Sequence, residues 1–341
     1  MSLKRFSALL CSLCLLCLCA CGARMQSYSI TYTDVFDTVT TVTAYAASQS
    51  EFRELADFLH SALLECHRLF DIYAEYDGMN NLCTVNRRAG GEAVAVDGRI
   101  LDLLSLSQAL GEAGGRKLNV CAGSVLSLWH DARTAALADP AHAALPDPEA
   151  LELAKAHISP EALELDAAAG TVRLADPEAR LDVGAIAKGW AVQYACEQAK
   201  AAGYTGFLVS AGGNVCTVGT KPGGESWRVA LEDPLDSGEL RCLNLRDMSA
   251  VTSGSYQRVF TVDGQEYHHI IDPDTLYPAV GYVMVTVVCP DSGLADALST
   301  SLFLLSEEAG LGLLEQYSAE ALWLYADGTV HTSPGFDSFT K

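Results

Sequence analysis

Apolar positions recur with two different periods along the chain, and the changes of period mark its elements. Across residues 51–70, Phe52, Leu55, Leu59, Leu63, Cys66 and Phe70 fall on one face at helical spacing. Residues 96–110 predict a second helix that stops near Gly114-Gly115, and residues 191–202 a third, with Val192, Ala195, Cys196 and Ala199 inward and Gly203 as the stop. Residues 294–305 read as a strongly apolar helix, and a final helix and short hairpin close the chain. Between these, Val-, Thr- and Tyr-rich alternation predicts strands. Residues 28–46 form one or two of them around Asp37, and 163–166 with 171–174 form a hairpin. Residues 206–210, 215–218, 227–231, 241–245, 259–262, 267–271 and 282–288 are also strand-like, with Asp263-Gly264 as a hairpin turn. Residues 71–91 read as loop and short turn, and 118–129 are ambiguous. Residues 131–160, rich in Ala and Pro, read as short helices of a peripheral insertion without chemistry. Strands that arrive as hairpins, with helices placed irregularly, predict an α+β fold of mixed or antiparallel sheets with packed helices.

Composition narrows the function classes. The chain has 341 residues, half of them hydrophobic, and a net charge of −21. That acidity argues against nucleic acid as a partner and against a basic lipid-binding patch. Lys4 and Arg5 precede an apolar run over 6–19 that is too short to span a bilayer. Leu18-Cys19-Ala20-Cys21-Gly22 then resembles a bacterial lipobox; a plain secretory signal is the alternative. The expectation is a signal peptide over 1–20, a lipidated Cys21, a linker over 21–30 and a folded domain over 31–338. The protein would then be exported and lipid-anchored to the outer face of the cell membrane, or to its periplasmic side. Cys66, Cys83, Cys121, Cys196, Cys216, Cys242 and Cys289 are dispersed, odd in number and without metal or redox spacing, which predicts free thiols, most of them buried.

Four clusters could carry chemistry. In Leu181-Asp182-Val183-Gly184-Ala185-Ile186-Ala187-Lys188-Gly189-Trp190, an acid and a glycine turn lead into a helix start that carries a lysine. Such a start suits an anion, or is a structural turn into a core helix; it lacks the spacing of a Walker loop. Ser210-Ala211-Gly212-Gly213-Asn214 permits close backbone approach to a ligand, or a bulge. Thr252-Ser253-Gly254-Ser255-Tyr256 and His268-His269-Ile270-Ile271-Asp272-Pro273 flank a predicted hairpin that brings them together. Because neighbours on a strand point to opposite faces, only one of the two histidines is expected to serve a site, in proton transfer. In Ala295-Asp296-Ala297-Leu298-Ser299-Thr300, an acid and a hydroxyl one helical turn apart suit a hard cation such as Mg2+. A solvent-facing Asp and a Thr bonded back to its helix are the plainer reading of that pair.

In this order the four clusters resemble the motifs of the ApbE family, FAD:protein FMN transferases that include flavin-trafficking lipoproteins. The resemblance runs from about residue 31 to the C-terminus and is strongest over 181–305. It implies a T-fold-related α+β architecture and a Mg2+-dependent reaction. FMN would pass from FAD, the substrate, to a Thr or Ser hydroxyl of an acceptor flavoprotein, with release of AMP. The acceptor would belong to a membrane or extracellular electron-transfer chain. Hydrolysis of FAD to FMN and AMP is the near alternative, and a non-catalytic flavin-binding lipoprotein the alternative of another class.

By motif position, the resemblance assigns Asp296, Thr300 and the Ala185 carbonyl to Mg2+, and His269 as general base. Asp182, Lys188 and Ile270 would contact FAD, with Phe36, Tyr73 and Asn119 as further flavin contacts. Three departures stand out: Phe36-Asp37-Thr38 in place of Met-Gly-Thr, Leu118-Asn119-Val120-Cys121 in place of Phe-Asp-Ile-Thr, and Leu276 in place of Gly. The last predicts a turn of different conformation.

Overall fold

An eight-stranded antiparallel sheet divides the molecule, in a computed structural model that describes residues 25–340. Its strands are β1 (Gln26–Val35), β2 (Thr38–Ala46), β6 (Phe207–Ala211), β7 (Asn214–Val218), β10 (Ser249–Gly254), β13 (Tyr282–Cys289), β14 (Glu320–Tyr325) and β15 (Val330–Thr332), adjacent in that order. One face is covered by three helices: α1 (Gln49–Phe70), α6 (Ala187–Ala201) and α7 (Ser292–Leu304). Their apolar stripes meet Val285, Val287 and Trp323 of the sheet in the main core. The alternate residues Met284, Val288, Leu322 and Leu324 face a second core under the hairpin of β8 (Trp227–Asp233) and β9 (Gly238–Leu245). Period-2 alternation thus makes one strand serve two cores.

Two smaller assemblies flank the sheet. β3 (Val94–Ala95), β5 (Thr171–Leu174) and β4 (Leu163–Asp166) form a three-stranded sheet near α2 (Leu82–Arg87) and α3 (Gly98–Ala113). α4 (Gly123–Ala138) and α5 (Pro148–Lys155) pack with the hairpin of β11 (Phe260–Val262) and β12 (Gln265–Tyr267) around Trp129, Phe260, Ile271 and Leu276. A last helix, α8 (Glu307–Leu314), precedes β14. The architecture is the expected α+β class.

Several boundaries differ from the sequence reading. β1 begins at Gln26, so residues 26–30 are strand rather than linker, paired from Gln26↔Ala46 onward with β2. The strand pair turns at Phe36 and Asp37, whose φ angles are 55° and 49°. The 71–91 loop contains α2, opened by a capping box between Asn81 and Thr84; with only six residues it is too short for a period to show. β10 was not foreseen as a strand although it is central, because Thr252-Ser253-Gly254 reads as a ligand loop. β12 ends at Tyr267, so the strand expected over 267–271 is mostly a turn. The seven described cysteines are free thiols, six buried and Cys242 partly so. Among the described residues no helix is long and apolar enough to cross a membrane. The leader and Cys21 lie outside them.

Candidate functional site

Beside the sheet, β10, the β6–β7 turn, the start of α6 and residues along α4 and α7 border a cavity of about 530 Å³. Its floor is where α6 meets α7. Gly189 sits against Ser292 O, the Asp296 Cβ and Asn214 Nδ2 so closely that no side chain fits. This contact lets the Gly189 N–H donate to Asp296 Oδ2 at 2.8 Å and brings Lys188 Nζ to 3.5 Å from the same oxygen. Asp296 is 3% exposed, and burial pushes its carboxyl above the usual carboxylate range, against the pull of Lys188 and the Gly189 N–H. One turn later Thr300 borders the cavity, with Ser253 Oγ at 3.3 Å from its Oγ1. Asp291 caps α7, its side chain accepting the Leu294 N–H at 2.8 Å.

The lead-in to α6 is folded by its own acid. Asp182 Oδ1 accepts the Gly184 N–H at 2.8 Å, and the Asp182 N–H donates to Val120 O at 2.8 Å. Burial raises the Asp182 carboxyl, while the Gly184 N–H, then Arg258 and His130, act in the other direction. Ala185 also borders the cavity, and no side chain caps α6, so its positive end is open to an anion. At the β6–β7 turn, Gly212 and Gly213 take φ of +53° and +86°, and a Cβ on Gly212 would strike Thr38.

The wall is the turn that follows β12. His268 spends both ring nitrogens: Nε2–H donates to Ala279 O at 2.9 Å, and Nδ1 accepts the Ile270 N–H at 3.2 Å. His269 spends one, Nδ1–H donating to Gln257 O at 3.1 Å. A carbonyl only accepts, so that bond places the proton on Nδ1 and leaves the Nε2 lone pair free. Burial, then the Arg258 cation, push His269 down to about 3. The imidazole is neutral at pH 7. Because β12 ends at Tyr267, both histidines border the cavity, contrary to the alternation argument; hydrogen bonding singles out His269 instead.

Of the residues expected at the site, Tyr73, Asn119, Asp182, Ala185, Lys188, His269, Ile270, Asp296 and Thr300 all border this cavity. Phe36 does not: its ring meets His67 edge-on at 5.5 Å, its N–H donates to His67 Nδ1 at 3.2 Å, and Asp37 and Thr38 take the place at the wall. Asn119 borders the cavity with its amide already spent, on Ile158 O at 2.7 Å and the Cys121 N–H at 2.9 Å. Leu276 also corrects an expectation. It keeps a left-handed φ of 65° that glycine would take freely, and it is 1% exposed, so burial in the Trp129 cluster offsets the strain.

A family model described as the ApbE family matches residues 36–323. A FAD:protein FMN transferase of Treponema pallidum (strain Nichols) is 33% identical over 97% of this chain and 93% of the relative. The chain belongs to the ApbE family. A FAD:protein FMN transferase of Rhodobacter capsulatus is 30% identical over 88% of this chain, which spans 56% of that relative. The crystal structure of an ApbE protein from Thermotoga maritima superposes with a TM-score of 0.82 at 26% identity, over 93% of this chain and 100% of the other.

This ApbE chain also places at the site residues that sequence reasoning missed. Lys117, His130, Arg133, Gln257 and Arg258 border the cavity. Tyr73, 60% exposed, lies against His130 with ring centroids 5.3 Å apart. Arg133, which falls within the supposed insertion, shows that residues 131–160 are not without a part in the site. Lys117 and Lys188 are paired with carboxylates, whereas Arg133 and Arg258 have none within ion-pair distance among the described residues. Burial, then Arg258, lower Arg133. No sequence signal singled out Arg133 or Arg258, since 15 of the 22 Lys and Arg residues of the chain are arginine. Among the described residues no group of three or more His, Cys, Asp or Glu is placed to hold a metal, so a metal here would need other oxygen donors.

Proposed function

We propose that this ApbE-family chain is a FAD:protein FMN transferase that takes Mg2+ and releases AMP. The observation that carries the reading is a histidine with one nitrogen anchored and one free, sharing a cavity with a buried acid, a hydroxyl one helical turn from it and a lysine at an uncapped helix start. Support for the activity comes from relatives that bear that name across nearly the whole chain.

The donor set fits Mg2+. The Asp296 carboxylate and Thr300 hydroxyl are hard oxygens one turn apart, Ala185 would add a carbonyl, and a buried carboxylate whose one cationic partner stands 3.5 Å away has cause to hold a cation. When bound, Mg2+ supplies charge neutralisation on the pyrophosphate and polarises its phosphorus. Lys188 and the open end of α6 add positive charge for the same anion. His269 Nε2 takes the proton of the acceptor hydroxyl as its oxygen bonds to the FMN phosphorus. The phosphorus–oxygen bond to AMP breaks, and the AMP phosphate leaves with the electron pair. Tyr73, Asp182 and Ile270 would bind and orient FAD.

The expected setting is part of the proposal: residues 1–20 as a lipoprotein leader, an exported chain anchored through Cys21, and an acceptor flavoprotein of an electron-transfer chain. The experiment incubates residues 22–341 with FAD and Mg2+, with and without a peptide that bears a Ser/Thr target. AMP that forms only with the peptide, with an FMN-sized mass gain on it, is the expected result. AMP without the peptide identifies a pyrophosphatase. FAD that stays intact in both arms, and binds as tightly to Asp296→Ala, identifies a flavin carrier.

A further inference from the structure

The turn that carries His269 is gripped from outside. Within it, the Ala279 N–H donates to Ile270 O at 3.0 Å, Asp272 N–H to Tyr277 O at 2.9 Å and Leu276 N–H to Asp272 O at 2.8 Å. Those bonds define its shape but not its placement over the cavity. Placement comes from three side chains of residues 117–155. Trp129 Nε1–H donates to Leu276 O at 2.9 Å, and Lys155 Nζ donates to Asp274 O at 3.0 Å. Lys117 Nζ donates to Asp272 Oδ1 and Asp274 Oδ2, each at 2.7 Å.

Resting on the reading of His269 as the base, we propose that Lys117 is a positioning residue. By holding Asp272 and Asp274 together it fixes the turn, and with it the direction of His269 Nε2. Asp272 lies three residues beyond His269, nearer to the base in sequence than Asp274, the other carboxylate that Lys117 holds. Both bonds are charge-assisted, and the Lys117 and Asp272 side chains are only 16% and 18% exposed, so solvent competes weakly for them.

Lys117 borders the cavity, which raises the rival role of direct phosphate contact. Geometry favours positioning. Two carboxylates already oppose its single charge, and Asp274 N–H donates to Asp272 Oδ1 at 3.0 Å, locking the two acids into one arrangement. Lys188, with one long contact to Asp296, keeps the charge that an incoming anion would use.

The test uses the full chain and separates turnover from binding. Lys117→Met should lower kcat for AMP release about 10- to 100-fold, as a misplacement near 1 Å does, with KM and Kd for FAD within about twofold of wild type. Lys117→Arg should recover most of the loss, since it can bridge both acids. Asp274→Ala, at an exposed position that removes one bond without touching the cavity, should give a smaller kcat loss and no added loss in the Lys117→Met background. It also serves if Lys117→Met melts at the assay temperature. A wild-type kcat in Lys117→Met overturns the proposal, and so does a weakened FAD Kd with kcat intact, which would make Lys117 a ligand contact. His269→Asn is the control: if it turns over normally, the base assignment itself fails, whereas an inactive His269→Asn beside a fully active Lys117→Met sinks the positioning role alone.

Discussion

The floor and the wall of the cavity are built on opposite plans. At the floor, α6 and α7 approach so closely that Gly189 leaves no room for a side chain, and the buried Asp296 carboxylate of one helix accepts the Gly189 N–H of the other. At the wall, a turn with a strained Leu276 is held by side chains that reach from Lys117, Trp129 and Lys155, more than a hundred residues earlier in the chain. The floor is fixed by packing, and packing tolerates almost no change of volume. The wall is fixed by a few polar tethers, of which Lys117 and Lys155 are removable without refilling a core, while Trp129 also packs in one. Loss at the floor should therefore appear as stability and metal binding, and loss at the wall as turnover.

The sharpest break of that comparison is at the two histidines. His269→Ala should reduce transfer by about 10²- to 10⁴-fold with FAD affinity kept, the usual worth of a positioned base. His268→Ala, which loses bonds to Ala279 and Ile270 but no free nitrogen, should chiefly lower the melting temperature. Equal kinetic losses from both would undo the argument from hydrogen bonding. Next in size, Asp296→Ala should cut AMP release by roughly two to three orders of magnitude, and excess Mg2+ should not restore it, consistent with several kcal/mol of charge stabilisation from the metal. Calorimetry with Mg2+ and FAD checks the binding side. Metal binding that persists in Asp296→Ala would move the cation away from α7.

These two predictions also show what was legible in the chain. The floor could be read because Asp182, Lys188, Asp296 and Thr300 lie in motifs whose local spacing survives folding: a helix places i and i+4 together whatever surrounds it. The strands could be read where alternation is clean, as in β4, β5 and β8. The wall could not. Lys117 meets Asp272 across 155 positions of sequence, so no local window contains the pair. Arg133 was set aside with an alanine-rich segment whose composition hides one long helix. Phe36 was placed by motif position, but its backbone turn points the ring at His67 rather than into the cavity.

Gly189→Ala tests the floor as packing. The added methyl meets two backbone-fixed neighbours, Ser292 O and the Asp296 Cβ, so the helices must part. A loss of about 1–3 kcal/mol of stability is expected, with Mg2+ affinity falling as Asp296 is displaced. Leu276→Gly tests the wall as strain. Relief of the left-handed backbone returns about 1–2 kcal/mol, while deletion of a buried leucine costs about 2–5 kcal/mol. The net is a modest destabilisation, smaller than for Leu302→Ala in α7, where nothing offsets the cavity. Thermal melts of the two variants compare the terms directly, and a Leu276→Gly protein as unstable as Leu302→Ala would mean that the turn stores no strain.

The smallest effect is also the most specific to charge. Burial, and after it the nearby Arg258 cation, hold the His269 pKa below that of an ordinary histidine, about 6.5. The neutral base is the active form, so the acid limb of kcat/KM should lie well below pH 6.5. Arg258→Met removes a cation that disfavours protonation; His269 should then titrate higher, and the limb should move toward neutral pH. The linked stability has the same sign. A histidine whose pKa is depressed in the folded state binds fewer protons there than in the unfolded chain, so its contribution is present above about pH 6.5 and is lost as pH falls toward the folded value. Arg258→Met should shrink that acid-side loss while it shifts the rate profile. A limb that stays in place would mean that burial alone governs His269 and that the two unpaired arginines act on the substrate instead, which a weakened FAD Kd in the same variant would register.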